Sequence, residues 1–356
     1  MKFSIFLLCF SFGLVSANLL KEKRASISDR ATIGYATLSG GKSTASGAEL
    51  IFNFLSNSRT TGGGSASPII VATLDELRVA IYGTSAKVVI VPGSITGNEV
   101  VVIGSNTSVI GKSGATLNGI GLRVVNASNV IIRNLKINRV LADTGDHIGV
   151  QASNRIWIDS VELWSDRDHD KDYYDGLLDI ANDVYAMSIT NSYLHDHWKG
   201  SSAGYSNSGD SGGNATQVTY AFNKWENLNS RTPSFRSGQG HIFCNYFLNN
   251  NGGINSQTGA RLLIENNVFE NMGSSTYRTE GGCIDATGNV PIGMPVYSIT
   301  PCSMWFNLSP DLSNSESAAL PTFPGGITLP DPYNYLIPAT SVKAYVNRQA
   351  GANLSF

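Results

Sequence analysis

The chain has 356 residues, of which 15% are charged and 42% hydrophobic, enough for one large core or for two domains. A net charge of −2 excludes a general attraction to nucleic acid, and 37 glycines fit a chain of many turns. Beyond the N-terminus, no apolar run is long enough to read as a membrane-spanning helix.

Met1 and Lys2 give a positive start, Phe3 to Val15 an apolar run, and Val15-Ser16-Ala17 a small-residue cleavage site. Residues 1–17 therefore read as a secretory leader, too short to span a bilayer. Asn18 to Arg24 ends in the dibasic pair Lys23-Arg24 and reads as a short propeptide, which leaves 25–356 as one domain outside the cell. Secretion permits disulfides. Cys283 and Cys302 share the loop-rich C-terminal third and are the expected pair, whereas Cys244 sits in a strand pattern and reads as a buried, inert thiol. Asn-x-Ser/Thr sites begin at Asn106, Asn126, Asn214, Asn307 and Asn353.

Ala25 to Pro68 is rich in Gly, Ser and Thr and reads as a loop, with one apolar patch at Ala48 to Leu55 that could be helical. Thr73-Leu74-Asp75-Glu76 is a capping box, followed by Leu77, Ala80 and Ile81 at helical spacing. It predicts a helix from Leu74 to Tyr82. Lys87 to Pro92 and Glu99 to Ile103 then open a series of strands.

From Val130 the chain repeats itself. The segments VIIRNLKI, IWIDSVEL, MSITNSYL, VTYAFNKW, GHIFCNYF and LLIENNVF align without gaps, with starts 26, 31, 31, 22 and 22 residues apart. Short apolar runs separated by Asn and Gly turns at such a period mark a solenoid. No helix alternates with the strands, so a doubly wound fold is a poor fit. The pattern predicts an all-β fold, a right-handed parallel β-helix with one coil per repeat. Asn223, Asn245 and Asn267 then fall in one column, with Ser192 one coil earlier, where stacked amides can satisfy turn backbone. Against a plain coil of 22 residues, three coils carry insertions of 4, 9 and 9. Solenoids place such insertions on one face, often the binding face. After Met272 the register is expected to dissolve, Ser309 to Tyr335 to wrap the solenoid as a loop, and a helix at Ser341 to Gln349 to cover its C-terminal end.

The longer coils hold the chemistry-bearing residues. Asp175 and Asp179, four apart in DGLLD, can reach one hard cation from a strand and its adjoining turn, with Asp146 supplied by an earlier coil. Aspartates in turns also cap backbone, and spacing alone leaves both readings open. Lys199, Arg231 and Arg236 put three cations near three carboxylates, which suits a polyanion bridged to the protein by metal. His195 and His197 lack the companions of a zinc site and read as packing or hydrogen-bonding groups, and Trp157 and Trp225 as structural.

GDHIGVQASNRIWID, DYYDGLLDI, LHDHWKG and RTPSFRSGQGHIF, in this order, resemble the signature blocks of family-one polysaccharide lyases, and within them the fungal secreted pectate lyases. The resemblance runs from about Gly34 to Met272. It implies a right-handed parallel β-helix that cleaves α-1,4-linked polygalacturonate of plant cell walls by β-elimination, as a monomer using Ca²⁺. It also implies residue roles: Asp146, Asp175 and Asp179 match calcium positions, Lys199 and Arg236 substrate-binding cations, and Arg231 the base that removes the C5 proton. Three positions depart from the family pattern: Thr144 replaces an acid, Ser160 a histidine and Cys244 a ladder asparagine. The stretch from Gly41 to Pro68 is also longer than usual.

The C5 proton is acidic because it lies α to the uronate carboxylate, where charge builds as it leaves. Cations at that carboxylate stabilise the developing charge. Only a neutral guanidine can accept a proton, and the pKa of a guanidinium is roughly 12 or more, so the role assigned to Arg231 implies an alkaline optimum. A pectin lyase, acting on esterified chains without metal, would lack the acidic pair that Asp175 and Asp179 form. A hydrolase would need carboxylates flanking the bond in a different signature. A non-catalytic polysaccharide-binding solenoid would not need both Lys199 and Arg231.

Overall fold

The computed structural model describes residues 25–38, 59–205, 216–295, 322–323, 327–328 and 335–356. Its body is a right-handed parallel β-helix. One face is a ten-stranded parallel sheet whose strands run Pro68–Ile70, Lys87–Val91, Thr107–Gly111, Ser128–Arg133, Asn154–Asp159, Tyr185–Thr190, Gln217–Ala221, Gly238–Phe243, Ala260–Glu265 and Cys283–Thr287. A second, fifteen-stranded sheet folds into the other two faces, joined through the long strand Thr116–Val125. One of these faces contains Glu162–Trp164, Tyr193–Lys199 and Lys224–Ser230, and the other Ile148–Gln151, Leu178–Ala181, Ser201–Tyr205 and Ser234–Phe235.

The pairing register is the one the repeats predict. Val130 pairs with Ile156, then Met187, Val218, Gly240 and Leu262 in succession. Alternate residues from all three faces fill the interior, including Ile132, Ile158, Ile189, Tyr220, Ile242 and Ile264, all fully buried. Trp225, Phe247 and Phe269 stack along the axis with ring centroids 5.8 and 4.8 Å apart. The register continues one coil beyond the expected end, because Leu262 pairs with Ile284. Polar residues at Asp285 and Thr287 mask the strand pattern of that coil.

The amide ladder forms as predicted. Asn223 Nδ2 donates to Asn245 Oδ1 at 3.0 Å, Asn245 Nδ2 to Asn267 Oδ1 at 3.0 Å, and Asn267 Nδ2 to Asn289 Oδ1 at 2.9 Å. Each Oδ1 also accepts the backbone N–H of the preceding ladder residue, and the Ser192 N–H donates to Asn223 Oδ1 at 2.9 Å. The turn's buried donors are thereby satisfied within the column.

Helix α1, Leu74–Ile81, carries the predicted capping box and buries Leu77 and Ile81 against the first coils. Helix α2, Ala339–Gln349, starts two residues before the expected point and lies elsewhere than expected. It packs on the flank, with Val342 and Val346 buried against Phe222, Phe243, Cys244, Tyr246 and Val268, and does not cover the end of the stack. The turn column before the ladder explains this. Phe222 and Cys244 adopt positive φ there, at 59° and 52°, in a column that elsewhere carries Asn134, Asn191 and Asn266. Asparagine tolerates that conformation, whereas an apolar side chain there costs about 1 kcal/mol and makes the flank apolar. The helix covers that surface.

Residues 25–38 are a loop, as expected, apart from one 3-10 turn at Tyr35–Thr37, and cross the outer face of the ten-stranded sheet. Ala36 N donates to Ser188 Oγ at 2.9 Å and Tyr35 N to Thr219 Oγ1 at 3.1 Å. Trp157 is buried under this strap with its Nε1 on Thr190 Oγ1. The apolar patch at Ala48 to Leu55 lies outside the described residues. So does the expected wrapping segment over residues 309–334, apart from a short antiparallel pair, Thr322–Phe323 with Ile327–Thr328.

Cys244 is free and buried, and burial pushes its thiol up to about 11, so it is inert as read. Cys283 is disulfide-bonded, and Cys302 lies outside the described residues. Peptide mapping without reduction is expected to recover the Cys283 and Cys302 peptides linked. A Cys244 peptide linked to either would overturn both assignments.

Candidate active site

The site forms where the longer coils leave the stack. Residues 165–177 bridge Glu162–Trp164 to Leu178–Ala181, and the loop is pinned by an isolated bridge between Leu141 and Tyr174. Asp179 lies in the strand that follows, paired across coils with Gly149 and Ser202. Gly176 sits where the carboxylates approach one another. A β-carbon placed on it would stand 2.7 Å from Asp179 Oδ1 and 3.0 Å from Asp146 Oδ1. Only a residue without a side chain leaves this space open, and the Gly176 N–H donates to Asp146 Oδ1 at 3.1 Å.

Each predicted acid faces a cation. Asp146 Oδ2 is 3.7 Å from an Arg123 nitrogen, Asp175 Oδ1 is 3.4 Å from Lys199 Nζ, and Asp179 Oδ2 is 2.8 Å from an Arg231 nitrogen. Asp179 Oδ1 accepts the Ser202 N–H at 2.9 Å. Lys199 Nζ is also 2.9 Å from Asp172 Oδ1. Five of the six predicted site residues thus meet on successive coils, which stand about 4.8 Å apart. Arg236 stays apart, exposed, with its guanidinium 5.6 Å from the ring of Tyr205.

Arg231 holds one of the positive-φ turn conformations that recur along the coils. Its φ is 57°, the left-handed region that glycine and asparagine favour. Its carbonyl accepts the Ser201 N–H, which locks the turn between Lys224–Ser230 and Ser234–Phe235. Arg139 and Arg155, outside the site, hold the same conformation at 54° and 53°, so it belongs to the turns between strands and fixes where the Arg231 side chain leaves the coil.

Burial first, and then the charges of Asp179 and Asp175, push the Asp146 carboxyl up to about 7. Burial raises Asp179 as well, opposed by Arg231. Burial is thus the larger cause at both carboxyls, and at Asp146 the neighbouring acids add to it. The donors are all carboxylate oxygens, which suits a hard divalent cation and not a soft metal. Among the described residues no three acidic, imidazole or thiol groups stand together at metal-holding distance. The acids are instead spread over their cationic partners.

Two buried imidazoles underlie the acids. His197 Nε2 bonds the Asp175 carbonyl oxygen, and His147 Nε2 lies 3.0 Å from the Trp164 carbonyl oxygen. Burial holds them neutral, at about 4 and about 3. His195 lies outside the site, stacked between Trp164 and Tyr193. Thr144 spends its hydroxyl on the Leu141 carbonyl at 2.7 Å, so it caps a turn.

Sequence reading missed Arg123, Asp172, Ser202 and Tyr205. For Arg123 a signal existed. Gly145 and Gly149 flank Asp146, and a β-carbon on either would come within 2.7 Å of the Arg123 guanidinium, so the two glycines are the space it occupies. Nothing in the sequence marks Ser202, whose contribution is a backbone N–H.

A family model described as pectate lyase matches residues 9–352. A protein named probable pectate lyase A from Aspergillus niger is 41% identical over 97% of each chain, and pectate lyase A of Emericella nidulans is 48% identical over 73% of this chain and 75% of its own. Among solved structures, a pectate lyase from Bacillus sp. N165 in complex with trigalacturonate covers 90% of this chain and 98% of its own, with 26% identity and a TM-score of 0.71. Pectate lyase II of Xanthomonas campestris covers 82% and 96%, with 27% identity and a TM-score of 0.60. The chain therefore belongs to the pectate lyase family and is a polysaccharide lyase.

Proposed function

We propose that the protein cleaves polygalacturonate by calcium-assisted β-elimination outside the cell. The observation that carries this reading is the alternation of acid and cation on successive coils, from Asp146 through Asp179 to Lys199 and Arg231. A neutral, esterified chain has no use for such an array, whereas a polyuronate can exchange its carboxylates for the aspartates. The substrate follows from the same chemistry and from the trigalacturonate held by the Bacillus relative.

In this reading Asp146, Asp175 and Asp179 hold calcium, which supplies positive charge to the uronate carboxylate. Lys199 and Arg236 hold carboxylates along the chain. Arg231, as neutral guanidine, takes the C5 proton. The C5–H electron pair becomes the C4–C5 double bond as the C4–O bond breaks, and the leaving oxygen is protonated. The product carries a 4,5-unsaturated end. Residues 1–24, outside the described residues, serve as leader and propeptide.

Ultraviolet absorbance of the unsaturated product from polygalacturonate tests the reading. Exhaustive chelation is expected to abolish the signal, and added calcium to restore it. Full activity in chelator would favour a metal-independent lyase acting on esterified pectin, and absence of product under all conditions a binding solenoid.

A further inference from the structure

Of the four ion pairs at the site, the one between Asp179 and Arg231 is the closest, at 2.8 Å, and it ties residues 52 apart in sequence. Asp179 has one oxygen on the Ser202 N–H and the other on the guanidinium. Lys199 has a second carboxylate in Asp172, but among the described residues Arg231 has only Asp179. The Arg231 main chain is fixed by its carbonyl bond to the Ser201 N–H, and a β-carbon on Gly200 would lie 2.5 Å from that carbonyl oxygen. Its side chain is 37% exposed, so water reaches the guanidinium.

We propose that Arg231 and a divalent cation are alternative partners of Asp179, so that arrival of the cation is what turns the Arg231 guanidinium out of its ion pair and toward the substrate. The proposal rests on the reading of Asp179 as a cation ligand. A dication on a carboxylate oxygen sits about 2.3–2.6 Å from it. A guanidinium on the same oxygen would then lie within about 5 Å of the dication, where the two repel. The Ser202 bond uses the other oxygen, so the carboxylate keeps its orientation through the exchange. Linkage makes the effect reciprocal: a polyanion that engages Arg231 removes the competitor and tightens cation binding.

The test is calorimetric titration of the chelator-treated protein with calcium chloride, without substrate. Arg231→Gly suits the positive-φ backbone and cannot itself ligate a metal. It is expected to lower the calcium Kd about tenfold, the scale of a lost charged hydrogen bond. Arg236→Ala removes a cation that stands apart from the acids over Tyr205 and controls for net charge; its Kd is expected to shift about twofold or less. Equal shifts in the two variants, or no shift in Arg231→Gly, would overturn the exchange. Asp179→Asn separates the two levels of the argument. If it leaves the Kd unchanged, Asp179 is not a ligand and the underlying reading fails. If it weakens binding while Arg231→Gly fails to tighten it, only the exchange fails.

Discussion

Arg231→Lys is expected to reduce kcat on polygalacturonate by about 100- to 10,000-fold at alkaline pH while KM changes little, the range seen when a general base is removed. Lysine keeps the positive charge and can still reach Asp179, but its point-like ammonium cannot reproduce the planar fork at the reacting carbon. Arg236→Lys is the contrast. Arg236 is exposed and rests over Tyr205, away from the acids, so it is expected to act on KM, as a group that binds the ground state. Circular dichroism checks the fold of both variants. Near-normal turnover in Arg231→Lys would remove Arg231 from the role of base and leave Lys199 as the next candidate.

Asn245→Ala is expected to destabilise the protein by about 3 to 5 kcal/mol, read from urea unfolding. Asn245 is fully buried, and its Oδ1 accepts from both the N–H and the Nδ2 of Asn223. Its own Nδ2 donates to the carbonyls of Tyr220 and Phe243 and to Asn267 Oδ1. Alanine leaves these groups without partners where water cannot reach, and each costs about 1–3 kcal/mol. Asn251→Ala is the control. Asn251 also bonds an asparagine one coil away, Asn229 at 2.7 Å, but at an exposed position, and its loss should fall within about 0.5 kcal/mol. Comparable effects in the two variants would mean that the buried ladder adds no special stability.

The stack was legible because a solenoid writes its geometry as a period. Val130, Ile156, Met187, Val218, Gly240 and Leu262 could be aligned by eye, and the same residues pair in space. The ladder followed, since Asn223, Asn245 and Asn267 share a phase in the repeat. What lies off the period was not legible. Helix α2 could be anticipated from its own composition, but its place on the flank depends on Phe222 and Cys244, two residues in positive-φ turns more than ninety positions earlier. Arg123 meets Asp146 because consecutive coils bring residues 23 apart side by side, and its mark in the sequence is indirect: Gly145 and Gly149 leave room for a guanidinium without naming which one fills it. The individual acids and cations stood out in sequence, but which acid faces which cation is set by the loop at 165–177.

The straps change how the chain can come apart. A bare solenoid is nearly one-dimensional, since each coil touches only its neighbours, so it can nucleate anywhere and fray from either end. Here Ala36 reaches Ser188, 152 residues away, Leu354 reaches Asn134, 220 away, and the Ala25 N–H meets the Ser355 carbonyl at 3.2 Å. These ties can close only after the intervening coils have stacked, so they latch late and raise the contact order of a fold otherwise zipped coil by coil. Once closed, they couple distant coils: loosening one end must also release a tie anchored in the middle. Hydrogen exchange should therefore report a larger cooperative unit over the tied coils, Asn134 and Ser188 among them, than nearest-neighbour stacking alone would give.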